Sequence, residues 1–141
     1  VQKQLEIDEG VEYKVYLDHL GYATFGIGHL VLDTDPEHGC KIGTAVSEDR
    51  VTEAFQRDLD ISIAECKVLY DLWDDYPEEV QEILVNMMFN LGRPRLSGFK
   101  NFKKAIDAGE WGKASVEGRD SKWYRQGGAR AERLMVRMEK V

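Results

Sequence analysis

Three side chains near the start of the chain, Glu9, Asp18 and Thr24, carry groups that hydrolysis of a glycosidic bond can use. One carboxyl, kept protonated, donates to the leaving oxygen. The other, kept ionised, activates water or attacks carbon. The acid then needs a raised pKa, supplied by burial or nearby negative charge. Glu9 stands at the expected C-terminal end of a first helix, beside Asp8 and near Glu6 and Glu12. A helix C-terminus carries partial negative charge, so this field favours the protonated form. Asp18 lies at a strand-to-turn junction, more solvated and free to stay ionised, and the Thr24 hydroxyl across the turn could hold a water against it. Read singly, neither carboxylate is diagnostic: a Glu near a helix end is ordinarily surface decoration, and an Asp before a glycine-containing turn is ordinarily a turn former.

The elements that must position these groups follow from patterning. Lys3 to Ile7 read as helix, ended by Gly10. Val11, Tyr13, Val15 and Leu17 alternate with Glu12, Lys14 and Tyr16, a period-two strand signal. Asp18-His19-Leu20-Gly21 is turn chemistry, and Tyr22 to Leu32, punctuated by Gly26 and Gly28, reads as one or two short strands. Asp33 to Ala45 is loop. Ser47 offers an N-cap, and Val51, Ala54, Phe55, Leu59 and Ile63 recur at helical spacing to about Leu69. Beyond it, Pro77 opens and Gly92 closes a strongly apolar helix, and Gly109 ends another marked by Phe99, Phe102, Ala105 and Ile106. Short helices at Trp111–Val116 and Ser121–Tyr124 and a last one at Ala129–Met138 complete the pattern. The expectation is an α+β chain of one domain, residues 1–141. A small antiparallel sheet lobe (about 11–46) is joined by a long helix (about 47–69) to a helical lobe (about 76–141), with the first helix packing on the latter.

Net charge is −7, but unevenly spread: residues 1–75 carry 6 Lys/Arg against 17 Asp/Glu, and residues 76–141 carry 13 against 9. Such asymmetry can mark a polyanion-facing side. Nucleic acid is disfavoured, because there is no dense basic run and no binding motif. No run of about eighteen apolar residues exists, so no membrane insertion is expected. No secretory leader is visible, and the chain, which begins at Val1, reads as a mature form or an excised domain. Cys40 and Cys66 fit no zinc spacing and are expected as free thiols.

Glu9-Gly10, Asp18, Gly21-Tyr22, Thr24 and Gly26-Ile27-Gly28-His29 together resemble the phage-type lysozymes, the glycoside hydrolase family of the T-even bacteriophage endolysins. The resemblance continues through Asn86-Met87-Met88-Phe89-Asn90-Leu91-Gly92. It also covers Trp111 and the run from Gly118 to Gln126, a region also found in lysozyme domains of phage tail baseplates. It implies a lysozyme-like fold and a muramidase that cleaves the β-1,4 bond between N-acetylmuramic acid and N-acetylglucosamine in peptidoglycan. Glu9 would be the general acid, Asp18 the general base and Thr24 the positioner of water, with inversion and a carboxyl separation of roughly 6.5–9.5 Å. Further implications are saccharide contacts at Leu30 and Phe89, an Asp8 pairing with Arg130 or Arg133, Arg130 near the site, and an ion pair of His29 with Asp58 that raises the histidine pKa. No cofactor and no metal are implied. Trp73, Trp111 and Trp123 could stack on sugars, although helical spacing makes them core.

Three departures bear on function. The loop after His29 is shorter than in the T-even endolysins, and the family's polar cleft positions are here Phe102 and Glu117, so muropeptide contacts are not carried over. The acidic balance also lacks the global pull that draws basic lysozymes to anionic walls. A monomer is expected, alone or as a domain of a larger protein acting at the bacterial wall. Two alternatives stand beside the muramidase: a lytic transglycosylase, which needs no catalytic Asp, and a wall-binding domain with a dead site. The presence of Glu9, Asp18 and Thr24 together argues against both.

Overall fold

A computed structural model describes residues 2–126 and 128–141. The chain divides into two compact units, residues 1–60 and 61–141. It is α+β: a three-stranded antiparallel sheet and eight α-helices among the described residues.

In the first unit, helix α1 (Gln2–Glu9) is short and ends where Gly10 turns to φ +73°, its amide donating to the Glu6 carbonyl at 2.9 Å. Strands β1 (Glu12–Leu17), β2 (Ala23–Gly26) and β3 (His29–Leu30) form a meander in the order β1-β2-β3. Tyr16 pairs with Thr24 and Thr24 pairs with Leu30, so these three side chains share one face. Phe25 pairs with His29 on the other face, and both are buried.

The strand alternation is only partly expressed as burial. Val15 is buried, but Tyr13 is 51% and Leu17 54% exposed. The reason is that β1 leaves β2 between Glu12 and Tyr16, where it carries two more residues than its partner. There it bonds instead to residues 43–46. Val15 N donates to the Thr44 carbonyl at 2.9 Å, and Val46 N donates to the Tyr13 carbonyl at 2.9 Å.

Helix α2 (Glu48–Leu69) runs from the first unit into the second. Ser47 caps it, its Oγ accepting from Arg50 N at 3.1 Å, and Glu48 and Asp49 meet the positive end of its dipole. No helix among the described residues is long and apolar enough to cross a membrane.

The second unit contains α3 (Glu78–Leu91), α4 (Arg93–Ser97), α5 (Lys100–Asp107), α6 (Trp111–Arg119), α7 (Lys122–Gln126) and α8 (Gly128–Glu139). Gly92 and Gly109 take left-handed backbone (φ +78° and +70°) at the ends expected of them. The core gathers Val80, Ile83, Leu84, Met87, Leu96, Phe102, Ile106, Leu134, Met135 and Met138. Gly118 on α6 lets α8 come close: a Cβ there would collide with the Met135 sulfur. Trp73 and Trp123 are core residues, and Trp111 stacks edge-on to Tyr76 at 5.4 Å between centroids. Both cysteines are free: Cys40 is exposed, and Cys66 is buried with its thiol pushed up to about 12 by that burial.

Candidate active site

Glu9 is the last residue of α1, and its side chain rests on the backbone of the β2–β3 turn. A Cβ placed on Gly28 would lie 2.6 Å from Glu9 Oε2 and 3.1 Å from its Cδ. Gly28 also has φ +67°, so both the backbone conformation and the room for the carboxyl require glycine.

Asp18 organises the β1–β2 turn. Its Oδ1 accepts from the amides of Leu20 and Tyr22, each at 2.9 Å, and its own amide donates to the Tyr22 carbonyl at 2.9 Å. One carboxylate oxygen is thus fixed by main chain, while Oδ2 takes no hydrogen bond from the described residues.

Thr24 is 3% exposed, and its hydroxyl donates to the Tyr22 carbonyl at 2.9 Å. With the proton committed, Oγ1 presents lone pairs that accept. Tyr22 therefore ties the two groups together: its amide holds Asp18 and its carbonyl holds Thr24. Tyr16, opposite Thr24, is half-buried. Burial first, then the charges of Glu12, Glu9 and Asp18, keep its phenol above the ordinary value. Those carboxylates lie close enough to act on one hydroxyl.

His29 is buried and does not stand among these groups as a free base. Its Nδ1 is 2.7 Å from Asp58 Oδ2 and its Nε2 2.7 Å from Asp35 Oδ2. Burial opposes its charge, but the hydrogen bonds to Asp58 and Asp35 outweigh it and raise the pKa above the ordinary histidine value. The network continues outward. Asp35 also accepts from Leu32 N (2.8 Å) and from Arg50 (3.2 Å). Arg50 makes a forked pair with Glu37 (2.9 and 3.0 Å), reaches Glu53 (2.9 Å), and lies over the Phe25 ring at 5.3 Å. Charge thus fastens the loop after β3 to α2.

The remaining expected residues are placed as follows. Leu30 is 50% exposed on the face of Thr24. Asp8 accepts from Gln4 at 3.2 Å, one turn back on α1. Phe89 and Arg130 belong to the second unit: Phe89 is half-buried on α3, and Arg130 Nε donates to Asn86 Oδ1 at 2.9 Å. Asn90, beside Phe89, accepts from the Trp123 indole at 2.9 Å. No group of three or more metal-ligating side chains occurs among the described residues.

The phage lysozyme family model matches residues 6–140. The chain belongs to the phage lysozyme family. Among curated relatives, it is 32% identical to the "Pre-baseplate central spike protein Gp5" of Enterobacteria phage T4, over 95% of this chain and 26% of that protein. It is 26% identical to "Probable T4-type lysozyme 2" of Dictyostelium discoideum, covering 96% of this chain and 91% of the relative. "Probable T4-type lysozyme 1" of the same organism is 27% identical over 99% and 93%. The chain therefore spans about a quarter of the phage spike protein and nearly all of the two lysozyme-named relatives.

For this phage lysozyme family member, sequence reasoning missed Tyr16, Asp35 and Arg50. By alternation Tyr16 falls in the polar phase of a strand. Asp35 sits in a stretch (DTDPEHG) whose composition says only loop, and no spacing rule selects which of its acids turns inward. His29 follows Gly26 and Gly28 and precedes Asp35 by six residues, and Arg50 stands in the first turn of the next helix, but no spacing rule joins the three.

Proposed function

We propose that the chain is a muramidase that hydrolyses the β-1,4 bond between N-acetylmuramic acid and N-acetylglucosamine in bacterial peptidoglycan. The observation that carries the proposal is that Glu9, Asp18 and Thr24 all lie on one three-stranded meander, with Glu9 and Asp18 both near Tyr16, which pairs with Thr24. Glu9 lies on the Gly28 backbone, and Tyr22 links the other two. Membership of the phage lysozyme family supports the same reading.

Glu9, protonated, gives its proton to the glycosidic oxygen. A water held between Asp18 and Thr24 donates a hydrogen bond to Thr24 Oγ1 and passes its one reacting proton to Asp18 Oδ2. Its oxygen then attacks the anomeric carbon on the face opposite the leaving group, so configuration inverts. Such a reaction needs carboxyl groups roughly 6.5–9.5 Å apart, enough to admit the water. Asp8, His29 and Asp58 support the site without touching the reacting atoms, Arg130 serves on the second unit, and Leu30 and Phe89 contact saccharide. The similarity to one quarter of a spike protein favours work as a domain of a larger particle as well as alone.

Mass spectrometry of soluble products from purified peptidoglycan tests this reading. Reducing, hydrated muramic acid ends are expected. Anhydro ends would instead make the chain a lytic transglycosylase. No release at any pH would make it a wall-binding domain. Glu9→Gln should lower wall clearing by at least about 10²-fold, since general acid catalysis contributes on the order of 10²–10⁴-fold. Equal clearing by variant and wild type would remove Glu9 from the role.

A further inference from the structure

We infer that Tyr16 is a substrate-contacting residue of the proposed reaction, donating a hydrogen bond through its hydroxyl to an oxygen of the sugar whose anomeric carbon is attacked. The inference rests on the muramidase reading.

Three features of the fold converge on this side chain. First, β1 departs from β2 after Glu12 and rejoins it at Tyr16, directly opposite Thr24. The strand irregularity therefore ends where the aromatic ring joins the face that carries Thr24 and Leu30. Bulges next to active sites commonly serve to aim one side chain. Second, the ring is half-buried while Leu30 beside Thr24 is half-exposed, so this face offers apolar surface of the kind a pyranose ring covers. Third, the hydroxyl makes no hydrogen bond to any described residue, although Glu9, Glu12 and Asp18 are all near enough to act on it electrostatically.

The residue type matters in that surrounding. A lysine or arginine among those carboxylates would donate hydrogen bonds too, but its charge would pair with a carboxylate rather than with a neutral sugar oxygen. A serine or threonine would be neutral but without a ring. A phenol is neutral, donates, and lies flat against a sugar. Because its proton is held more tightly than in water, it stays a donor throughout the pH range in which Glu9 and Asp18 do their work.

Tyr16→Phe keeps the ring and removes only the hydroxyl. Steady-state kinetics on soluble, uncrosslinked glycan strands should show kcat/KM lowered about tenfold, the loss of one hydrogen bond. The melting temperature and the shape of the pH–rate profile should be unchanged. Unaltered kinetics would overturn the inference. So would a displaced limb of the pH profile, which would make the hydroxyl a partner of Glu9 or Asp18 rather than of substrate. A loss that matches a lowered melting temperature would overturn it in favour of a structural role. Wild type releasing no muropeptide defeats the muramidase reading itself, and Tyr16 with it. Active wild type with an equally active Tyr16→Phe defeats Tyr16 alone.

Discussion

Asp35→Asn removes one charge from the buried network and leaves its shape nearly intact. Asp35 is 7% exposed and accepts from His29, Leu32 N and Arg50 at 2.7, 2.8 and 3.2 Å. Breaking a buried ion pair by removing one partner costs about 3–5 kcal/mol. Here His29 keeps Asp58, and Arg50 keeps Glu37 and Glu53, so the lower end applies. The expected loss is about 3 kcal/mol, or roughly 10 °C in melting temperature at this chain length. Its pH dependence follows from the two partners. Burial alone would raise the Asp35 pKa, but the Leu32 amide, His29 and Arg50 together hold it below the usual carboxylate value. That contribution is present above about pH 4 and is lost as pH falls through the lowered folded value. His29 is raised, so its contribution is full below about pH 6.5 and is lost as pH rises through the folded value. The penalty should therefore be largest between about pH 4 and pH 6.5 and shrink at higher pH to the share carried by Arg50 and the amide. Urea unfolding followed by circular dichroism at pH 5.5, 7 and 9 measures it. A loss under about 1 kcal/mol at pH 5.5, or one independent of pH, would refute the reasoning.

Two glycine substitutions make opposite use of the same side chain. Gly28→Ala forces a left-handed alanine, at about 1–2 kcal/mol, and drives its methyl into the Glu9 carboxyl. Clearing activity should fall on the order of 10²-fold, far more than stability, because the acid is displaced by about an ångström. Thermal melts and clearing rates on one sample separate the two effects, and a parallel decline would contradict the assignment. Gly118→Ala lies within helix α6, where alanine ordinarily stabilises by about 0.5–1 kcal/mol. The Met135 sulfur occupies the space, so a destabilisation of about 1–3 kcal/mol is expected instead. A raised melting temperature would show that α6 and α8 can part at little cost.

What the chain makes legible differs from residue to residue. Ser47, Gly92 and Gly109 announce helix ends because capping chemistry is local, and the structure has helix ends there. Glu9, Asp18 and Thr24 are legible as a set because their types and spacing resemble a known family, whose model matches nearly the whole chain. The role of each remains the proposal made above. Alternation along β1 announces the strand Glu12–Leu17 but not its burial, since period two assumes one continuous partner and this strand changes partners midway. Asp35 was invisible for a different reason: its partners are set by how a loop folds back on α2, which no periodicity encodes. Cys40 and Cys66 fit no zinc spacing, and both are free thiols.

The distribution of two scarce residue types makes the molecule a ready spectroscopic ruler. All three tryptophans, Trp73, Trp111 and Trp123, fall in the unit of residues 61–141. The exposed thiol, Cys40, falls in the other unit, and Cys66 is fully buried with a proton it gives up only near pH 12. A maleimide dye added at neutral pH will thus report from one unit alone, and indole emission from the other alone. Energy transfer between them follows the spacing of the two units in solution, with and without glycan, and requires no engineered label site.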